Sequence, residues 1–423
     1  MERNEVKFDV AVIGGGPAGM LAAGHAGELG AKVVLVEKNP SLGRKLLITG
    51  KGRCNITQAE FDDKEFVKNL GKKGKFLFSA LATFGPQAVV DFFETRGLAT
   101  KTERGGRIFP VSNRAMDVLN VLLEYLRKNQ VLIKTGAKVL GFESKNNHIN
   151  CLKLANQRDI YADNFIIATG GKSYPATGSV GEGYDWAKNL GHKIAETMPA
   201  LTPLLTQEEW PKSLAGLSLK NVELKVYQDN KKLDSCFGEM LFTHFGISGP
   251  IVLDVSKRVG ELLKNDEVEI KIDLKPAITL AELDQRLLRD FQKNLNKDFI
   301  NYLPELLPQK IISTIVELSG IEGRKKIHLI TKVERIKLAG LLKELKIKIE
   351  KTMGYAQAII TSGGVDLKEI NSKTMRSKII DNLFFAGEII DLDGPTGGYN
   401  LQISWSTGYA AGTYGSGQLS TGQ

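Results

Sequence analysis

The chain has 423 residues, 42% hydrophobic and 25% charged, a globular composition that excludes disordered or collagen-like polymers and suggests two or three domains. Lysine plus arginine exceed aspartate plus glutamate by 57 to 48, a formal charge of +9 that suits an anionic cofactor or substrate and equally a lysine-rich solubilising surface. Three cysteines, Cys54, Cys151 and Cys236, without a CxxC pair, argue against a disulfide framework, a four-cysteine metal site and a redox-active dithiol.

The charged segment Met1 to Lys7 precedes an apolar run too short for a signal peptide. No apolar stretch is read as approaching the ~20 residues that span a bilayer. A cytoplasmic protein with no membrane partner is expected.

Phe8 to Ile13, rich in valine and isoleucine and ending in glycines, reads as a buried parallel strand. A helix is expected over Pro17 to Leu29 and a strand over Lys32 to Glu37, then a glycine- and cation-rich loop from Gly43 to Asn55. Two or three helices follow, of which Ala115 to Lys128 is the clearest. Strands are expected at Lys138–Glu143, Ile149–Leu154 and Phe165–Ala168.

After about residue 197 the pattern changes. Val222, Leu224 and Val226 alternate with polar residues, as do Val268, Ile270 and Ile272, the mark of half-buried antiparallel strands. Thr279 with Glu282 has the form of a capping box, and Leu283, Leu287 and Phe291 repeat at helical spacing. A helix over about Lys310 to Leu318 and renewed alternation at Ile347 and Ile349 complete this middle part. From Gln357 the pattern of the first part returns: an apolar strand, glycines, a strand at Leu383–Ala386 and a glycine-rich turn into a final helix. The expected fold is α/β, with one discontinuous domain made from both ends of the chain.

Gly14, Gly16 and Gly19, with Pro17 and Ala18 between, give GxGxxG spacing between a strand and a helix. The first glycine permits the tight turn, the second lets the backbone approach a pyrophosphate, and the third lets helix pack on strand. Pro17 suits the first helical turn, and the helix tip offers N–H groups to the diphosphate. Glu37, 18 residues beyond Gly19, can accept both ribose hydroxyls of an adenosine and would repel a 2′-phosphate.

A second support at the other end argues for FAD rather than NAD. The strand Leu383–Ala386 runs into Gly387-Glu388, and Gly394 to Gly398 turns into a helix beginning near Tyr399-Asn400. Glu388 or Asp391 is a candidate acceptor for a ribityl hydroxyl, and the final helix would aim its positive end at the flavin edge that gains charge on reduction. No second nucleotide fold is read: Gly178 to Gly183 follows no strand and lacks the spacing. NADH or NADPH would then visit the flavin pocket transiently as electron donor, with oxygen as the other candidate electron partner.

The segment Gly43-Arg44-Lys45 through Gly50-Lys51-Gly52-Arg53-Cys54-Asn55-Ile56-Thr57 resembles the GRK…GxGRCNxT signature of the bacterial BaiN/RdsA-like NAD(P)/FAD-dependent oxidoreductases, a family that includes aminoacetone oxidases. Ala168 to Ser173, Phe242 to Pro250 and Gly387 through Asn400 are similar to it as well, and Lys51 departs from the small residue many relatives carry. The resemblance implies a Rossmann-like FAD-binding domain at residues 1–197 and 354–423. It further implies an inserted β-barrel-like domain at 198–275 and 345–353 and a small helical insert at 276–344. It also implies that Glu37, Arg44, Lys45, Val139, Glu388 and Asn400 lie near FAD, Val139 through its backbone at the adenine. Lys38, Arg53, Cys54, Asn55, Thr169, Gly170, Gly387, Asp391, Gly398, Tyr399 and Leu401 complete the expected cofactor contacts.

Arg44, Lys45, Lys51 and Arg53 place four cations in one ten-residue stretch, suited to a pyrophosphate or an anionic reduced flavin and equally to a solvated basic loop. Cys54 is a candidate general acid or a buried space-filling thiol. His244 is a candidate acid or carbonyl donor or an ordinary satisfied histidine. No metal-ligand cluster is read. The expected activity is hydride transfer between FAD and a small organic substrate, as a reductase of an activated C=C bond or an amine oxidase. The alternative is dihydrouridine synthesis on ribosomal RNA, for which residues 324–351, with ten cations against three acids, would grip phosphates. A purely structural or redox-sensing flavin is the third reading.

Overall fold

A computed structural model describes residues Lys7 to Gly417; the first six residues, most of the charged N-terminal segment read above, lie outside it. The first of two compact units runs up to Pro199 and resumes at Ile359. Its elements are β1 (Lys7–Ile13), α1 (Pro17–Glu28), β2 (Val33–Val36), α2 (Arg44–Ile48), α3 (Ala115–Lys128), β3 (Leu132–Lys134), β4 (Tyr161–Ile167), β5 (Leu383–Phe385) and α4 (Tyr399–Gly415). The strands form one parallel sheet in the order β5-β4-β1-β2-β3. Val10, Ala11 and Val12 are fully buried, as a central strand covered on both faces must be. The C-terminal β5 pairs with β4, so both ends of the chain build one sheet.

Helix α1 is buried from Ala18 to Ala26, which explains its all-round apolar composition. Its small residues admit α4 to backbone distance: a Cβ on Gly408 would stand 2.5 Å from Ala18 O, and one on Gly412 2.6 Å from Ala22 O. Helix α4 is also fixed by Gln402, which donates to Phe84 O at 2.9 Å, and by Trp405, whose ring N–H donates to Ile56 O at 2.9 Å.

The second unit, Ala200 to Ala358, has its own core. Six antiparallel strands close a barrel: Leu204–Thr206, Gly246–Ser248, Lys231–Thr243, Ser218–Gln228, Val268–Asp273 and Leu345–Thr352. The alternation at Val222, Leu224 and Val226 and at Val268, Ile270 and Ile272 marks the inward face, all six side chains being buried. Helices Leu280–Lys293, Ile312–Ser319 and Lys332–Lys343 contribute to the same core. The capping box at Thr279 and Glu282 forms, and a second one at Thr331 and Glu334, which the sequence reading passes over, forms in the same way.

Two expectations are corrected. Gly43 to Asn55 is not irregular throughout: Arg44–Ile48 is helical, because Leu46 at its centre buries completely. The stretch Gly71–Glu94 is long and apolar enough by composition to cross a bilayer, contrary to the reading that no such stretch exists. Here it is three short helical pieces interrupted at Gly85-Pro86, with Leu77, Leu81, Phe84, Val89 and Phe93 in the core of the first unit.

Candidate functional site

The fingerprint glycines sit at the C-terminal edge of the sheet, where open α/β folds place ligands. A Cβ on Gly14 would stand 2.4 Å from Ala168 O, and one on Gly19 1.9 Å from Gly14 O, so both are closed against protein. Gly16 differs: a Cβ there meets nothing within 4 Å. This N-cap of α1 borders an open cradle, with the helix tip of Pro17 and Ala18 beside it.

Glu37 follows β2 and is held from two sides. Its Oε2 accepts from Gly15 N at 2.7 Å, and its Oε1 accepts from Asn39 N at 2.8 Å and Asn39 Nδ2 at 2.7 Å. The segment carrying Val139 runs alongside, since Ala137 N donates to Glu37 O and Gly136 N to Asn39 O. Lys38 makes an ion pair with Glu182.

Glu388, half-buried, is brought to Lys45 by the meeting of the chain ends. Lys45 Nζ donates to Glu388 Oε2 at 2.6 Å and to Ser173 Oγ at 2.6 Å. Ser173 Oγ and Thr361 N both donate to Glu388 Oε1, each at 2.8 Å. Gly387 lies against Ala18, where an added Cβ would stand 2.8 Å from the alanine Cβ. Asp391 is buried and pairs with Lys73 at 2.5 Å. At the α4 tip, Asn400 braces the preceding turn: its Oδ1 accepts from Gly394 N at 2.9 Å and its Nδ2 donates to Gly394 O and Pro395 O. Gly398 is pressed on the Thr57 carbonyl, Tyr399 is buried beside Phe66, and Leu401 is half-buried.

The four cations of the signature stretch separate. Lys45 serves Glu388; Arg53 pairs with Glu103, bonds Asn113 and lies over the Phe109 ring at 4.0 Å. Arg44 donates to Asn39 Oδ1 at 2.9 Å from an exposed position, and Lys51 is exposed. Cys54 is fully buried; loss of solvent pushes its thiol up to about 12. His244 is exposed at the turn between two barrel strands of the second unit, its ring edge-on to Phe245 at 4.9 Å. The two candidate acids thus belong to different units.

The donor set fits FAD. Buried polar atoms are normally hydrogen-bonded, yet Asn55 Oδ1 and Thr169 Oγ1, both expected cofactor contacts, have no partner among the described residues. Thr169 and Gly170 follow β4 at the same sheet edge as Gly14. Together with the open face of Gly16 and the fixed Glu37 carboxylate, these atoms match the needs of a dinucleotide. Sequence reasoning overlooked Asn39 and Thr361. Asn39 stands two residues from Glu37 and was legible from that spacing; Thr361 comes from a distant strand and left no local signal. No group of three or more histidine, cysteine, aspartate or glutamate residues that would hold a metal is found among the described residues.

Comparison with known proteins places this site in context. A model of the HI0933-like protein Rossmann domain matches residues 8–414. The 3-dehydro-bile acid delta(4,6)-reductase of Clostridium scindens is 32% identical, over 95% of this chain and 98% of its own. A ribosomal RNA dihydrouridine synthase of Escherichia coli is 30% identical over 96% and 97% of the two chains. Among solved structures, the fold is shared with E. coli quinol fumarate reductase FrdA, at 15% identity and a TM-score of 0.54 over 98% of this chain and 71% of that one. It is also shared with a 3-ketosteroid delta1-dehydrogenase of Sterolibacterium denitrificans, at 12% identity and a TM-score of 0.53 over 97% and 99%. The chain belongs to the HI0933-like Rossmann family and is an FAD-dependent oxidoreductase.

Proposed function

We propose that this enzyme reduces a carbon–carbon double bond conjugated to a carbonyl in a small organic substrate, with NADH or NADPH as transient electron donor. The observation that carries the reading is the end-to-end match, at 32% identity, to a reductase whose name specifies C=C bonds in a 3-keto steroid framework. Dihydrouridine is uridine with its ring C=C saturated, again beside a carbonyl, so the two kinds of relative share one bond type.

FAD, when bound, supplies the hydride for the β-carbon. The chain's residues bind and orient it: Glu37 takes the adenosine ribose, Val139 its adenine through the backbone, and Gly16 with the α1 tip the pyrophosphate. Lys45, Glu388 and Ser173 set the ribityl side, and Asn55 and Thr169 use their unpartnered oxygens on the cofactor. The α4 tip stabilises negative charge on the reduced ring. A proton must reach the α-carbon. Cys54, with its thiol pushed up to about 12 and sealed from solvent, is unsuited to that step.

Ribosomal RNA as substrate is the second reading, favoured by the two dihydrouridine synthases among the relatives. The basic run 324–351 gives it less support than its composition suggests. Lys325 pairs with Glu334, Lys326 with Asp298, Arg335 with Asp284, Lys343 with Asp273 and Lys348 with Glu267. Cations neutralised this way release few counterions on a phosphate backbone.

The test is anaerobic. NADH or NADPH should bleach the yellow holoenzyme, and an enone should restore the colour with saturation of its C=C bond. Recovery only with unmodified ribosomal RNA would replace the small-molecule reading by the RNA one. Failure to bleach with either nicotinamide would remove the proposed donor.

A further inference from the structure

The geometry points to Asn39 as the residue that makes the adenosine pocket selective for a ribose bearing its 2′-hydroxyl. The inference rests on the reading that Glu37 receives that ribose, and it assigns the positioning of Glu37 to a side chain outside the dinucleotide fingerprint.

Asn39 uses its whole amide. Nδ2 donates to Glu37 Oε1 at 2.7 Å and to Thr177 O at 3.1 Å, while Oδ1 accepts from Arg44 Nη1 at 2.9 Å. Its backbone N–H gives Glu37 Oε1 a second bond at 2.8 Å. The three side-chain bonds fix which end of the amide is nitrogen, because a flipped amide would turn its oxygen toward a carboxylate and a carbonyl. Gly178 closes the site from the other side: a Cβ there, at φ +105°, would stand 2.4 Å from Asn39 Nδ2.

These contacts have a consequence for binding. Asn39 and Gly15 N grip Glu37 at opposite oxygens, so the carboxylate plane is set before a ligand arrives. A preset acceptor loses less freedom on binding and discriminates more sharply between a hydroxyl and its absence. Asn39 is a positioning residue: it acts through Glu37 and need not touch the ligand. Aspartate at the same position would keep an acceptor for Arg44, but it would remove the donor to Glu37 and set a second carboxylate beside it.

The experiment compares ADP with 2′-deoxy-ADP on the full-length chain freed of flavin, by calorimetry, for the wild type, Asn39→Ala and Asn39→Asp. The wild type should prefer ADP by about tenfold, the worth of one hydrogen bond to a charged acceptor. Both variants should lower that preference to about threefold, because only the backbone bonds from Asn39 N and Gly15 N still hold Glu37. Asn39→Asp is isosteric and keeps the comparison valid if Asn39→Ala folds poorly. Variants that weaken both nucleotides equally and keep the tenfold ratio would make Asn39 merely structural and overturn the inference. A wild type that binds both equally well would overturn it too, with nucleotide binding left intact. A wild type that binds neither would instead remove the underlying assignment of the adenosine pocket.

Discussion

Gly408 of the last helix rests on Ala18 of the first, so closely that a methyl group on Gly408 would stand 2.5 Å from the Ala18 carbonyl oxygen. Ala18 lies in the turn of α1 that borders the pyrophosphate cradle, and Gly408 lies two turns into the helix whose tip is assigned to the flavin. This contact, with the one between Gly412 and Ala22, sets how closely the two helices pack. Replacing Gly408 by valine should force the helices apart, at a cost of roughly 1–3 kcal/mol typical of overpacking. The checks are a lowered thermal midpoint and a lowered FAD-to-protein ratio in the purified variant. Full flavin content at unchanged stability would show that this contact does not set the geometry.

Gly16 offers the opposite case. Its backbone is extended, at φ −82° and ψ −177°, and a side chain there would enter open space. Gly16→Leu should therefore fold with a thermal midpoint close to that of the apoprotein, yet take up no FAD. Circular dichroism with a visible spectrum separates these two effects.

The Lys45–Glu388 pair joins the signature stretch to the C-terminal strand, with side chains 21% and 18% exposed. Lys45→Met should leave Glu388 with its charge and without its cation. The expected loss is about 2 kcal/mol, below the roughly 3–5 kcal/mol of a fully buried pair because some solvent remains. A double-mutant cycle with Glu388→Gln, read by chemical denaturation, should show coupling of the same order.

Much of this was legible in the sequence, for a physical reason. A fingerprint glycine is required by local backbone geometry, and a buried parallel strand needs a continuous apolar run, so Gly14 to Gly19 and β1 declare themselves within a dozen residues. Alternation at Val222, Leu224 and Val226 likewise gives the buried face. It cannot give the neighbouring strand, so the order in which the barrel closes was not readable. Arg44–Ile48 looked irregular because its helicity depends on burying Leu46 in the tertiary structure. The ion pairs of Arg53 with Glu103 and of Lys38 with Glu182 were not readable, because these partners are distant in sequence.

Two titrating groups make pH a probe of the fold. Burial pushes the Cys54 thiol up to about 12 from an ordinary value of 9.0. The folded form resists thiolate formation while the unfolded chain does not. This stabilising contribution is complete below pH 9 and is lost as the pH rises toward 12. Cys54→Ala should flatten that decline in alkaline denaturation curves and leave turnover within about twofold, since a neutral sealed thiol makes a poor acid.

His25 sets the acid side. It bridges Glu28 and Thr413, stacks on Tyr409 at 3.8 Å, and its ionisation is held below the usual 6.5 chiefly by burial. The neutral ring is the folded form. Stability is therefore full above pH 6.5 and falls as the pH drops below it, where the unfolded chain takes up a proton first. His25→Gln should reduce this slope in urea denaturation measured across the range.

The central prediction is that both ends of the chain hold one cofactor. Titration of FAD into the flavin-free full-length protein, followed by calorimetry for the wild type, Gly16→Leu and Lys45→Met, tests this most directly. The expected result is one FAD per wild-type chain, no binding by Gly16→Leu and clearly weakened binding by Lys45→Met. A wild type that takes up no FAD, or one whose affinity is indifferent to both substitutions, would contradict it.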